Sequence, residues 1–273
     1  MPGRRHSLTA RSDATLAAVL RRDQLVVGAA LLVIAGLAWA CIVTLAQRMN
    51  APAMDMRGMS MMVPGFSPWT PSHAFLIFAM WAVMMIGMMT PSAAPMILIY
   101  TQVARQANTL GKPFASAFWF AGGYLIAWSG FAALATGAQY TLERAALLSP
   151  TMVSSNRWLG GLLLIAVGLY QWVPVKNACL VQCRAPLSFV QAHGGFQSTT
   201  AGSVRLGLLH GAYCIGCCWA LMALLFVVGV MNILWIAGLM ILVLAEKALP
   251  GGPYLGRAAG LVAIVAGGAM LAV

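Results

Sequence analysis

The sequence predicts an all-α fold, a polytopic bundle of about seven transmembrane helices with the N-terminus in the cytoplasm. Only 8% of the 273 residues are charged and 61% are hydrophobic, whereas soluble domains usually carry about 25% charged residues. Apolar runs of roughly 20 residues, long enough to cross a bilayer as helices, recur along the chain. The alternating segments of about 10 residues that are typical of a membrane β-barrel are absent.

Hydropathy places the spans in order. A basic, polar segment, 1–24, precedes the first apolar run, and no small-residue cleavage site follows that run. The run is therefore predicted to be a span and not a signal peptide. Pro91 and Pro95 interrupt the second span, Pro174 ends the fourth, and the turn between the sixth and seventh is built on proline and glycine at 250–253. The expected spans are 25–46, 73–100, 114–137, 158–173, 203–229, 232–248 and 255–273.

The distribution of basic residues predicts the orientation. The formal net charge is +11, but no nucleic-acid-binding module accompanies it, so we attribute the charge to membrane topology and expect no nucleic-acid partner. With the N-terminus inside, twelve Lys and Arg residues fall on the cytoplasmic side and four outside. This orientation gives a basic cytoplasmic segment, 1–24, and a transmembrane domain, 25–273. The domain then includes an external Met-rich loop, 47–72, and a cytoplasmic Cys-containing loop, 174–202.

The fifth predicted span carries the densest group of candidate metal ligands. On a helix, His210, Cys214 and Cys217 share one face, and Cys218 and Met222 continue the stripe beside it. Thiolate and thioether sulfur are preferred by Cu(I), whereas thiolate with imidazole also suits Zn(II). Alternatively, the cysteines are small helix-packing residues and His210 bonds to a neighbouring helix. Polar groups within a membrane are costly and usually functional, which favours the metal site.

A second cysteine pair, Cys179 and Cys183, falls on the predicted cytoplasmic loop. Residues four apart share a face if the segment is helical. In a reducing cytoplasm this spacing indicates a metal site or a redox pair more than a structural disulfide. His193 follows and is a lesser candidate for the same site. Cys41 is expected to be an apolar filler of the first span.

Methionine is concentrated in one part of the chain. Twelve of the 18 methionines fall between Met49 and Met96, so the excess needs a local explanation. Clustered thioethers bind Cu(I) without deprotonation, which suits an external capture site. The alternative is adaptable packing, which is common for methionine. The candidates in the loop are Met54, Met56 and Met59; those in the second span are Met80, Met84 and Met88, spaced four apart, with Met85 and Met89 beside them.

These groups have a predicted order across the membrane. From outside to inside, the order is the methionine loop, the methionine helix, the mid-membrane Cys/His helix and the cytoplasmic cysteine pair. It is similar in ligand order to the high-affinity copper transporters, which also pair an external methionine-rich segment with an intramembrane Met-x-x-x-Met. Those transporters have fewer helices, so the similarity concerns the ligands and not the fold.

Two cysteine motifs stand out. The first is Gly168-Leu169-Tyr170-Gln171 followed by Pro174-x-Lys176-x-x-Cys179-x-x-x-Cys183-Arg184-x-Pro186, and the second is Cys214-x-Gly216-Cys217-Cys218-Trp219. They are accompanied by Ala245-Glu246-Lys247 and by the region with Met84-Met85 and Met88-Met89-x-Pro91. In these motifs the chain resembles a bacterial family of multi-pass membrane proteins of unknown function that are predicted to bind metal. The resemblance covers roughly residues 70 to 250. It implies metal binding and a location in the bacterial plasma (inner) membrane, without an activity.

Together these patterns favour a membrane protein that handles Cu(I), either by transport or by delivery to a membrane enzyme or metallochaperone, with zinc as the lesser alternative. A membrane thiol oxidoreductase that uses the paired cysteines is a second hypothesis. A structural or assembly subunit, which would act with a membrane partner or as an oligomer, is a third. Glu246 is expected to be an interface residue at the cytoplasmic end of its helix, beside a lysine that extends toward the membrane surface. The functional alternative is that Glu246 balances Arg205 or Arg257, or gates proton movement coupled to metal release. No Ser-His-acid set, phosphate loop or dinucleotide fingerprint is present in the sequence, so an enzyme is not the favoured class.

Overall fold

A computed structural model of the protein describes residues 25–47, 69–111, 116–148, 154 and 156–272. These residues form helices and no strand, as predicted; the two-residue bridge between Leu148 and Ser154 is isolated. The N-terminal segment 1–24 and most of the Met-rich loop lie outside the described residues. The helices are α1 (Leu25–Gln47), α2 (Pro71–Thr109), α3 (Ala117–Arg144), α4 (Arg157–Tyr170), α5 (Pro174–Arg184), α6 (Pro186–Ala192), α7 (Thr200–Ala223), α8 (Leu225–Val228), α9 (Ile233–Ala248) and α10 (Gly252–Ala272).

Five helical segments in the described part of the chain are long and apolar enough to cross a membrane. They are α1, α2, α3, the continuous stretch of α7 and α8, and α10, and they match five of the seven predicted spans. The other two predicted spans are shorter, because α4 has 14 residues and α9 has 16. Helices α4 and α5 would make a sixth span only as a broken pair, bent by 62°. The count of seven spans is therefore not confirmed.

The bend between α4 and α5 has a local cause. Val173 is extended, with φ −68° and ψ 133°, because the ring of a following proline disfavours the helical conformation. Pro174 then occupies the first turn of α5, where its missing N–H is not needed. The stretch 174–202, predicted as a cytoplasmic loop, thus contains α5 and α6. Helix α5 packs against α7 and buries Leu180 there.

Helices α3 and α7 contact each other through glycines. A Cβ atom at Gly123 would collide with the carbonyl oxygen of Val204, and one at Gly207 would collide with that of Phe120. Such close approach of two helix backbones is possible only where a side chain is absent. Tyr124 directly follows Gly123, so the close approach of the two helices also places the tyrosine ring beside the middle of α7.

Replacing Gly207 with alanine is expected to destabilise the protein by about 2 kcal/mol, because the added methyl group forces α3 and α7 apart. Thermal unfolding of the purified protein in detergent measures the change. Gly122→Ala is the matched control, since a Cβ atom at Gly122 has no neighbour within 4 Å. The control variant is expected to unfold at or slightly above the wild-type temperature. Equal stability of the two variants would contradict the packing argument.

The core between α2, α3 and α7 contains large buried side chains, among them Trp81, Tyr100, Phe120 and Trp128. Four methionines on two consecutive turns of α2 are buried in the same core: Met84, Met85, Met88 and Met89. The candidate ligands of the second predicted span therefore face protein and not lipid.

Candidate metal centre

Helix α7 places three thiols at the centre of the molecule. Cys214, Cys217 and Cys218 are all buried. The thiols of Cys217 and Cys218 donate to the backbone carbonyl of Cys214, with S···O distances of 3.1 and 2.9 Å. Both side chains also interact with the Cys214 thiol. The helical spacing predicted from the sequence thus brings the three sulfur atoms together.

Helix α5 adds a fourth thiol to this group. The Cys183 side chain lies against Cys214 and Cys217, close enough to interact with both thiols. We refer to Cys183, Cys214, Cys217 and Cys218 as the sulfur cluster. The order predicted across the membrane separates Cys183 from the mid-membrane cysteines and puts it on the cytoplasmic side, at the end of the series of metal ligands. This separation is wrong for Cys183, because the bend at Pro174 turns α5 back against α7.

Cys179 lies beside the sulfur cluster without a hydrogen bond to Cys214. A Cβ atom at Gly216 would be 2.7 Å from the Cys179 sulfur, so the missing side chain of Gly216 makes room for this thiol. The Tyr170 hydroxyl donates to the Gly216 carbonyl at 2.6 Å and fixes the same turn of α7. None of the six cysteines forms a disulfide among the described residues.

A ring of hydrogen bonds surrounds the Cys214 sulfur. The Lys247 ammonium group on α9 donates to Cys214 Sγ at 2.9 Å and to the Ser92 hydroxyl on α2 at 3.1 Å. The Tyr124 hydroxyl lies 3.2 Å from Cys214 Sγ and donates to the Met89 carbonyl at 3.1 Å. Ser92 also donates to that carbonyl, at 2.9 Å. Four helices are thereby joined at one thiol.

His210 is close to the sulfur cluster but does not join its hydrogen bonds. It lies one turn before Cys214 on α7, and its buried ring sits among those of Phe120, Tyr124 and Phe189, with centroid distances of 5.8, 5.9 and 5.1 Å. Its Nδ1 atom has no hydrogen-bond partner in the described structure. His193 is held elsewhere, by the Phe189 carbonyl and the Tyr213 hydroxyl.

The methionines of α2 lead along one helix face toward the sulfur cluster. Met84, Met88 and Ser92 are four residues apart, so they share a face, and Ser92 holds the lysine that contacts Cys214. On α7, Met222 is buried one turn beyond Cys218. Met85 and Met89 are buried on the neighbouring face of α2.

Met80 belongs to a different part of the structure. It lines a cavity of about 410 Å³ between α1 and α2, together with Cys41, His73 and Met231. Cys41 is exposed at this cavity, so it does not fill the core as predicted. Met54, Met56 and Met59, the ligands predicted in the external loop, lie outside the described residues.

Glu246 is engaged in a buried ion pair. Its carboxylate accepts two hydrogen bonds from Lys176 Nζ, at 2.7 and 2.9 Å, and both side chains are almost completely buried. Lys176 also donates to Gln171. The expected partners Arg205 and Arg257 are therefore incorrect; the pair joins α5 to α9 instead. Arg184 reinforces this junction by donating to the Glu246 carbonyl at 2.7 Å.

Three residues of this centre were not predicted from the sequence to contribute to it: Lys247, Tyr124 and Ser92. Lys247 had a usable signal, since a lysine at the end of a strongly apolar helix needs either water or a buried partner. Tyr124 and Ser92 had none, because each gains its role from the packing of another helix against its own.

The arrangement offers soft donors to a metal ion. Thiolate sulfur selects Cu(I), which tolerates low coordination numbers, and buried methionine sulfur has the same preference. Among the described residues, no group of three or more Cys, His, Asp or Glu side chains already surrounds a common point. The reason lies in the hydrogen bonds: Cys217 and Cys218 point at a carbonyl, and Lys247 caps Cys214.

The comparison with known proteins agrees with this chemistry. A family model described as PpoB2, copper chaperone, matches residues 78–270. The match includes all four residues of the sulfur cluster and the methionines of α2. No curated protein and no solved structure is significantly similar to the chain.

Proposed function

The chain belongs to the PpoB2 copper chaperone family, and from this premise we propose that it is a membrane-embedded chaperone that holds Cu(I) on the sulfur cluster and delivers it to a copper enzyme. The observation that carries the proposal is the meeting of Cys183 from α5 with Cys214 and Cys217 from α7. Sulfur donors from two helices can grip one ion and release it when the helices shift.

The proposed ligands are Cys214 with one or more of Cys183, Cys217 and Cys218. Copper(I) binds cysteine as thiolate, so protons leave as the ion enters. The Lys247 ammonium group beside Cys214 supports a thiolate there, because a buried cation needs a negative partner. The thiols of Cys217 and Cys218 donate to the Cys214 carbonyl, and such weak bonds are easily exchanged for a metal.

We propose that the methionines form the approach to this centre. Met84 and Met88 precede Ser92 on one face of α2, and Met222 follows Cys218 on α7; all three methionines are buried. Thioethers bind Cu(I) without losing a proton and hold it less tightly than thiolates. Met54, Met56, Met59 and Met80 would capture the ion first, and Met85, Met89, His210 and Cys179 would lie beside its route as secondary ligands.

The setting is proposed to be the inner membrane of a bacterium, with the N-terminus in the cytoplasm. The five apolar segments support a membrane location, and the excess of basic residues in the predicted inside loops supports the orientation. The proposed partner is a copper enzyme or a soluble metallochaperone that offers competing thiolate or imidazole ligands.

The proposal is tested on the full-length protein, purified in detergent under reducing conditions after growth with copper. We expect it to retain roughly one Cu(I) per chain and to compete for Cu(I) with a chromophoric chelator of known affinity. Metal analysis and the chelator absorbance measure both quantities. Protein that retains no copper and leaves the chelator spectrum unchanged would contradict the proposal.

The thiol oxidoreductase remains a second candidate because the Cys183 side chain interacts with Cys214 and Cys217. Exchange through this pair would leave a mixed disulfide with a substrate protein when one cysteine of the pair is replaced. Non-reducing electrophoresis of a Cys183→Ser variant distinguishes the two functions. A chaperone is expected to show no trapped adduct, whereas an oxidoreductase would show one that disappears on reduction.

A further inference from the structure

Lys247 lies where its charge can affect which metal ions the sulfur cluster accepts. The ammonium group is 2.9 Å from Cys214 Sγ and is held in place by Ser92 at 3.1 Å. Within the described part of the chain, Lys247 forms no ion pair with a carboxylate. The nearest acidic residue in sequence, Glu246, is paired with Lys176 and has only a weaker Coulombic interaction with Lys247. The sulfur cluster is therefore the group that balances this charge.

A fixed positive charge at this distance acts on any ion that binds Cys214. We propose that Lys247 is a specificity-determining residue that admits a soft monovalent cation and excludes a divalent one; this inference rests on the proposed function. The repulsion between the ammonium group and a bound metal ion doubles when the ion carries two charges instead of one. In a buried site, where water does not screen the charges, this difference is large.

The chemistry of the donors alone does not make this selection. Several thiolates in one cluster also suit Zn(II), which prefers four tetrahedral ligands and often takes cysteine. Removing the lysine charge should therefore convert a site for monovalent ions into one that also accepts zinc. The hydrogen bond from Ser92 strengthens the effect, because it limits the withdrawal of the ammonium group when an ion enters.

The experiment uses the purified full-length protein and two probe ions, Ag(I) as an air-stable soft monovalent cation and Zn(II) as the divalent competitor. We measure the ratio of the two affinities for the wild type and for Lys247→Leu, which keeps an apolar side chain in place, removes the charge and adds no sulfur donor. The expected result is a fall of about 100-fold in the preference for Ag(I) over Zn(II). Lys247→Arg, which keeps the charge, is expected to preserve the preference.

A matched control removes one positive charge elsewhere in the protein. Arg257 on α10 stacks over the rings of Trp172 and Tyr254, at 5.8 Å from each centroid, and no contact recorded among the described residues joins it to the sulfur cluster. Arg257→Gln is expected to leave the Ag(I)/Zn(II) preference at the wild-type value. If Lys247→Leu does not fold, Lys247→Gln provides the same comparison with a polar side chain.

The outcomes separate this inference from the proposed function. An unchanged preference in the folded Lys247→Leu or Lys247→Gln variant would overturn the role of Lys247, while Ag(I) binding by the wild type would leave the proposed function intact. A wild-type protein that binds neither Ag(I) nor Cu(I) would overturn both. An equal loss of preference in Arg257→Gln would also overturn the inference, because the effect would then come from net charge.

Discussion

Replacing Cys214 with serine is expected to lower the affinity of the protein for Cu(I) by more than about 100-fold. Replacing a residue that only orients a metal ligand typically lowers the metal affinity by roughly 10- to 100-fold. Cys214 is proposed as a ligand itself, so its loss should cost more. It is the cysteine whose thiol interacts with Cys183, Cys217 and Cys218 and also contacts Lys247 and Tyr124. A hydroxyl in its place is a hard donor that Cu(I) does not favour.

Competition with a chromophoric Cu(I) chelator measures this loss. Cys41→Ser is the matched control, because Cys41 lies on α1 at the cavity that Met80 lines and not at the sulfur cluster. We expect the control to bind Cu(I) as the wild type does. A Cys214→Ser protein that keeps wild-type affinity would show that copper binds elsewhere, and a matching loss in Cys41→Ser would point to the cavity between α1 and α2.

Replacing Glu246 with alanine is expected to reduce the free energy of unfolding by about 3–5 kcal/mol. The change leaves the ammonium group of Lys176 buried without its counter-charge, and an uncompensated buried charge is far more costly than the loss of a surface ion pair. The pair joins α5 to α9, and Gln171 alone cannot neutralise the lysine. Denaturant titration in detergent micelles, followed by tryptophan fluorescence, measures the change.

The double variant Lys176→Met with Glu246→Met provides the control for this second prediction. Removing both charges and filling the space with apolar side chains should restore most of the lost stability, because two desolvated charges are then absent. A single Glu246→Ala variant as stable as the wild type would mean that the pair contributes little. A double variant less stable than the single one would mean that packing, and not charge, holds the junction.

Much of the architecture could be predicted from the sequence because the relevant forces act locally along the chain. Long apolar runs form helices wherever water is excluded, since each helix satisfies its own backbone hydrogen bonds. The runs that became α1, α2, α3, α7 and α10 were long enough to be recognised in this way. The grouping of Cys214, Cys217 and Cys218 was equally predictable, because helical periodicity alone places residues three and four apart on one side.

Only the tertiary structure decided which helices meet at those cysteines. The bend at Pro174 returns α5 to α7 and brings Cys183 to Cys214, although they are distant in sequence. The partner of Glu246 proved to be Lys176, and Lys247 turned to the sulfur cluster. Adjacent residues on a helix point about 100° apart, so each finds a different neighbour. Local patterns fix what a helix presents on each face, but the contact between helices depends on how side chains interlock across the whole bundle.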